Sequence, residues 1–259
     1  MAAIPWHARI VADWPVQPAA PTYSGTRDLT LDLYAPQQQA NGLVVYIHGG
    51  GWQEGSKDRP PGYRAFLAAG YAVAAIEYRF TTQTDAQSLV GDVTAGIEAA
   101  RALAAREWHA DQPWYLWGIS AGGHLASLAA HTLADRPTAV VSWCGPMDLV
   151  SYGALVGVKR RLRSHVRTIV SQLVGDDPEQ AKLLSPVTYA GPTSVPHLFV
   201  HGTADGLVPI EQSRTMYDAL LQSGVAAELY RVEGGEHAMP PSDWSGLDRT
   251  IAFLQRHRG

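Results

Sequence analysis

The chain has 259 residues, 46% hydrophobic and 17% charged, enough to bury a large core in one α/β domain. Its formal net charge of −4 offers no electrostatic case for a nucleic-acid partner, and its single cysteine, Cys144, excludes an intrachain disulfide framework. No apolar run reaches bilayer-spanning length, and the first residues lack a basic segment followed by an apolar one, so a cytoplasmic protein without membrane contact is expected.

Pro5 to Gly25, rich in proline and alanine, reads as an irregular arm with an edge strand at Arg9 to Val16. Leu29 to Tyr34 alternates apolar and polar residues, the pattern of a half-exposed strand. Continuous apolar runs follow at Leu43–Ile47, Tyr71–Ile76, Trp114–Trp117, Ala139–Trp143 and His197–Val200, and Ala226–Val232 reads as a last strand. Runs apolar on both faces suit parallel strands covered by helices on each side. Helical patterns lie between them at Pro61–Ala69, Asp85–Trp108, Ala121–Ala134, Ile210–Ser223 and Trp244–Arg256. The alternation predicts a single α/β domain over 1–259, a mostly parallel twisted sheet with helices on both faces and right-handed connections.

One segment departs from that alternation. Between Asp148 and Val187, Leu155, Val158, Leu162, Val166, Ile169 and Leu173 recur at near-helical spacing, interleaved with Lys159, Arg160, Arg161, Arg163 and Arg167. Residues 148–187 read either as an amphipathic helix with a solvated basic face or as a lid or pocket wall whose cations meet an anionic substrate.

The chemistry concentrates in Trp117-Gly-Ile-Ser-Ala-Gly-Gly-His124, a Gly-x-Ser-x-Gly between an apolar strand and a small-residue helix. Such a turn lifts Ser120 above the sheet edge and sets it at a helix N-terminus. Side chains at Gly118 or Gly122 would collide with the neighbouring strand or helix. A serine nucleophile needs a base for its proton and a carboxylate to orient that base, and on an elbow of this kind they follow in the order acid, then histidine. Asp205 in His201-Gly-Thr-Ala-Asp205 and His237 in Gly234-Gly-Glu-His237 each follow a strand, so both fall on the sheet edge that carries Ser120. Asp148, which also follows a strand, is the rival acid; the glycine after Asp205 and the Val208-Pro209 turn favour Asp205. His48-Gly-Gly-Gly-Trp52 follows another strand and reads as an oxyanion loop, with donors from Gly50 and Gly51 beside Ala121.

The remaining histidines take plainer roles. His48 would brace its loop, and His124, one helical turn after Ser120, would support the site. His197 and His201 share a strand face without the carboxylate or cysteine spacing of a metal site. No HExxH, CxxC, P-loop or dinucleotide fingerprint occurs, so no metal and no cofactor is expected. Trp52, Met147 and Met239, each beside a catalytic element, are expected to line the substrate pocket.

These motifs resemble the α/β-hydrolase superfamily over roughly residues 28 to 257. HGGGW, Glu77-Tyr-Arg79, GISAGGH and HGTADGLVP look like the carboxylesterases of the hormone-sensitive-lipase-like group. The short length and the SAGGH ending look closest to the bifunctional feruloyl and acetyl-xylan esterase-like family and its relative kynurenine formamidase. The Leu-Ala-Pro continuation after Glu77-Tyr-Arg-Phe80 and the lengthy N-terminal cap of larger relatives are missing. The resemblance implies hydrolysis of small to medium esters through an acyl-enzyme, without a cofactor. A formamidase, amidase or small peptidase on the same triad is the near alternative, and a non-catalytic hydrolase-fold binding protein the distant one. The expected partner is a small-molecule ester; no oligomeric state is specified.

Overall fold

The computed structural model describes residues 9–14, 29–36, 40–58, 60–107, 112–238 and 245–258. Its centre is an eight-stranded sheet in the order β1-β2-β4-β3-β5-β6-β7-β8. The strands are β1 (Arg9–Trp14), β2 (Leu29–Tyr34), β3 (Leu43–Ile47), β4 (Ala72–Ile76), β5 (Trp114–Ile119), β6 (Ala139–Trp143), β7 (His197–Gly202) and β8 (Ala227–Val232). β2 runs antiparallel to both β1 and β4. Every other neighbouring pair is parallel. The expected mostly parallel sheet is present, and the proposed edge strand is β1.

Strand composition accounts for the two layers of core. Val45 and Leu116 face a cluster shared with Leu89, Val93 and Ile97 of α2 (Ala86–Glu107) and Leu125 of α3 (Ala121–Thr132). Their neighbours Val44, Tyr46 and Trp117 point the other way, onto Phe66 of α1 (Tyr63–Ala68) and Phe253 and Leu254 of α8 (Ser245–Arg256). Period-two alternation therefore needs an apolar residue at every position of the central strands. A smaller cluster packs Met216 and Leu220 of α7 (Glu211–Gln222) on Phe199.

Residues 148–187 form short helices between β6 and β7: α4 (Leu149–Gly153), α5 (Arg163–Val174) and α6 (Pro178–Leu183), with 3₁₀ turns at Arg160–Leu162 and Pro186–Tyr189. Asp148 and Asp177 cap α4 and α6: Asp148 Oδ1 accepts from the N–H groups of Val150 and Ser151, and Asp177 Oδ1 from that of Glu179. In α5, Val166, Ile169, Val170 and Leu173 are buried, and Arg163 and Arg167 are exposed. No helix among the described residues is long and apolar enough to cross a membrane.

Register brings the functional loops together. Ile47 pairs with Gly118, Ile119 with Trp143, Trp143 with Val200, and Gly202 with Val232. The strands thus end at one edge, and the loops after β3, β5, β7 and β8 emerge side by side there. In open parallel sheets this carboxyl edge is where ligands bind.

Behind that edge Arg79, following β4, grips Asp92 of α2. Its Nε and Nη2 donate to the two carboxylate oxygens at 2.6 and 2.7 Å, and both residues are buried. Removing one partner strands a charge away from water. Arg79→Ala is therefore expected to cost about 3–5 kcal/mol, read as a lower denaturant midpoint; a midpoint within experimental error of the parent would show that the pair does not hold α2 to the sheet.

Candidate active site

The site begins with backbone geometry at the end of β5. Ser120 has φ 55 and ψ −120, a conformation that L-residues avoid, and it leads directly into α3. Tight glycine contacts make the turn possible. A methyl group on Gly118 would run into the carbonyl of Gly122, and one on Gly122 into the carbonyl of Ile47. The expectation that both positions must be small is met, and the close approach lets α3 start immediately above β3 and β5.

Ser120 Oγ lies 2.9 Å from His237 Nε2, and His237 Nδ1 lies 2.7 Å from Asp205 Oδ2. The serine, histidine and carboxylate singled out in the sequence are in hydrogen-bonding sequence, from three separate loops. Asp205 Oδ1 accepts from the backbone N–H groups of Leu207 and Val208 at 2.9 and 3.0 Å, which fixes the carboxylate plane. The rival Asp148 is spent on its helix cap.

Sequence reasoning missed a fourth member. The buried His201 places Nε2 3.3 Å from Asp205 Oδ2 and 2.9 Å from the carbonyl of Val208. Both are acceptors, so that nitrogen carries the proton, and Nδ1 accepts from the Ser213 hydroxyl at 2.7 Å. The signal was the four-residue spacing inside His201-Gly-Thr-Ala-Asp205. Burial alone would push the Asp205 carboxyl up, but hydrogen bonds from His201 and His237 outweigh it and bring its pKa down to about 2. Burial of His237 disfavours its charged form. The sulfur of Cys144 and the Asp205 carboxylate outweigh that, so its pKa is raised above the ordinary histidine value. Cys144 is fully buried, and its sulfur lies within 4.8 Å of a carboxylate oxygen of Asp205 and a ring nitrogen of His237.

Opposite Ser120 stands the loop after β3. Gly50 and Gly51 have φ 113 and 58, and both line a cleft of about 500 Å³ together with Ser120 and Ala121. His48 braces this loop as expected: Nδ1 lies 2.8 Å from the Gly49 carbonyl, and its ring stacks on Tyr78 with centroids 4.3 Å apart. Residues 148–187 contribute Tyr152, His165 and Ile169 to the cleft wall. The basic side chains Arg160, Arg161, Arg163 and Arg167 are exposed and none lines this cleft, so the solvated-face alternative describes them.

The expected pocket residues divide. Trp52 borders the cleft although its side chain is almost wholly buried. Met147 does not line it: the side chain is fully buried against Phe199, Met216 and Leu220, and the adjacent Pro146 takes the cleft position. The cause is Gln212, whose Oε1 accepts from the backbone N–H groups of both Met147 and Asp148 at 2.9 Å, turning this stretch toward α7. Met239 lies outside the described residues.

Comparisons with known proteins agree with this architecture. The BD-FAE family model matches residues 31–220. Among curated relatives, a probable isoprenylcysteine alpha-carbonyl methylesterase (ICMEL1) of Oryza sativa subsp. japonica is 28% identical over 231 residues, covering 80% of this chain and 53% of the relative. The probable carboxylic ester hydrolase LipM of Mycobacterium tuberculosis is 28% identical over 223 residues, covering 78% of this chain and 49% of LipM. The chain thus spans about half the length of the curated relatives it matches. A truncated carbohydrate esterase from gut microbiota superposes with a TM-score of 0.77 at 24% identity, covering 88% of this chain and 90% of that one, which shows a shared fold. On the match across residues 31–220 and the eight-stranded topology, the chain belongs to the BD-FAE family and has the α/β-hydrolase fold.

Proposed function

We propose that the protein is a serine carboxylesterase acting on small to medium esters, with Ser120 as nucleophile, His237 as general base and Asp205 as its orienting acid. The observation that carries this reading is the unbroken chain from Ser120 Oγ to His237 Nε2 at 2.9 Å and from His237 Nδ1 to Asp205 Oδ2 at 2.7 Å, opening on a cleft. The names of the rice and mycobacterial relatives, an ester hydrolase in each case, support the same reaction class.

In the proposed reaction Ser120 Oγ attacks the ester carbonyl carbon as its proton passes to His237 Nε2. Asp205 holds the opposite N–H and stabilises the imidazolium without taking the proton. Negative charge collects on the former carbonyl oxygen, where N–H groups of Ala121, Gly50 and Gly51 receive it; one such donor is typically worth a factor of about 10²–10³ in turnover. The intermediate collapses to an acyl-serine, and the alkoxide leaves with the proton from His237. Water then attacks the acyl carbon by the same route, and the carboxylic acid departs. Tyr152, Ile169, Leu207 and Val208 give the cleft an apolar side for the acyl or alcohol chain.

Ser120→Ala is expected to abolish turnover of p-nitrophenyl butyrate and labelling by a fluorophosphonate while leaving the circular dichroism spectrum unchanged. Turnover at the parent rate in that variant would remove serine catalysis from consideration. A second expectation concerns pH. The base must be neutral to accept a proton, and its pKa is raised above 6.5, so kcat/KM should climb with pH through a midpoint above that value. Cys144→Ala, which removes one of the groups favouring the charged ring, should move the midpoint down. An acid limb at or below 6.5 in the parent, or a midpoint unmoved by the substitution, would contradict the electrostatics assigned to His237.

A further inference from the structure

Trp52 carries a backbone conformation that its side chain does not favour. Its φ is 61, directly after Gly50 and Gly51 at 113 and 58, so the loop stays left-handed one residue beyond its glycines. A bulky non-glycine residue persists there only where its surroundings over-determine it. Those surroundings are visible. The Trp52 carbonyl accepts from the Thr81 N–H at 2.9 Å, and its indole, 1% exposed, donates from Nε1 to His124 Nδ1 at 3.2 Å. The two rings meet edge to face, with centroids 5.3 Å apart at 88°.

His124 is fully buried on α3, one turn beyond Ser120. Its Nε2 lies 2.7 Å from the Leu184 carbonyl at the end of α6, so that nitrogen carries the hydrogen and Nδ1 is left with the lone pair that receives the indole. Both ring nitrogens are used, and the tautomer is fixed. Burial pushes the ring pKa down to about 4, so the acceptor is retained at neutral pH.

We propose that His124 is a positioning residue of the reaction: through its bond to the Trp52 indole it holds the Gly50–Gly51 donors at the height of Ser120, and through Leu184 it ties the same loop to the cleft wall of residues 148–187. The inference rests on the esterase reading above and deepens it. His124 touches no substrate; it acts by keeping a strained loop in register with an elbow on the same helix.

The two bonds of the imidazole separate experimentally. An asparagine amide falls where Nδ1 stands and keeps an acceptor for Trp52, whereas a glutamine amide falls where Nε2 stands and keeps the donor to Leu184. His124→Asn is expected to retain most of the parent kcat on p-nitrophenyl butyrate. His124→Gln and Trp52→Phe are each expected to lose between about tenfold and a hundredfold in kcat, the usual cost of slightly misplaced catalytic groups, with KM near the parent value. Thermal midpoints recorded on the same variants give the purely structural effect. A role in packing alone would make kcat follow the midpoint and would not split asparagine from glutamine; that pattern, or parent kcat in both His124→Gln and Trp52→Phe, overturns the inference. If His124→Gln does not fold, Trp52→Phe, which deletes the indole donor and leaves His124 in place, carries the same test. A parent enzyme that neither hydrolyses the ester nor reacts with a fluorophosphonate would instead sink the esterase reading, so the two failures are told apart.

Discussion

Everything at this site depends on how closely α3 approaches β3 and β5. Ser120 reaches the cleft because the chain reverses within one residue, and the reversal exists because Gly118 and Gly122 meet backbone to backbone where any side chain would collide with a carbonyl. The same contact brings the loop after β3 beside the start of α3, so Ser120 and the glycine loop are parts of one close-packed junction. Asp205 and His237 come from farther away in sequence, but their loops leave neighbouring strands whose register ends them at the same level.

That junction is strained. Of the five non-glycine residues with positive φ among the described residues, Trp52, Ser120, Cys144 and Ala238 belong to loops at the sheet's carboxyl edge beside the cleft or beside Asp205 and His237, and the fifth, Leu155, lies in residues 148–187. Each such conformation costs on the order of 1–3 kcal/mol. The central strands, buried under helices on both faces, offset it, for apolar burial contributes about 25 cal/mol per Å² over a large core. Electrostatics follow the same division of labour. Asp205 stays ionised although buried, because two imidazole N–H groups and two backbone N–H groups replace the water it lost. A carboxylate satisfied in this way keeps its charge for the histidine it orients.

Much of this was written in local sequence, and what was not has definable reasons. β3, β4 and β5 were legible because burial on both faces leaves them no polar position, and the elbow and glycine loop because close backbone approach admits few residue types. The serine, histidine and acid positions followed from being next to strand ends. Side-chain direction did not. Met147 follows a strand as closely as Pro146 does, yet Gln212, more than sixty residues later, grips its backbone and turns the sulfur into the core. His201 went unrecognised as a partner of Asp205 because its four-residue spacing becomes a contact only when the loop after β7 curls back. The short helices of residues 148–187 were blurred into one amphipathic pattern. Their caps at Asp148 and Asp177 are local signals, but the breaks between helices are set by what the segment packs on.

That segment also shows why an amphipathic pattern alone cannot separate scaffold from site. α5 has one apolar stripe, and the packing uses it twice. Val166, Val170 and Leu173 fill the core, whereas Ile169, one residue before Val170, also borders the cleft and would touch a methyl group built on Gly51 at 3.5 Å. His165, at the solvent margin of that stripe, reaches the cleft with it. Arg163 and Arg167 flank the stripe with their side chains exposed, because a charge on the packed stripe itself would lose its water without gaining a partner. The wall of the cleft is thus the edge of a core-facing helix, and the loop after β3 rests against the same side chain. A substrate entering beside Ser120 would meet a surface already fixed by packing, so the shape of the cleft follows from the fold's own burial demands before any ligand contributes to it.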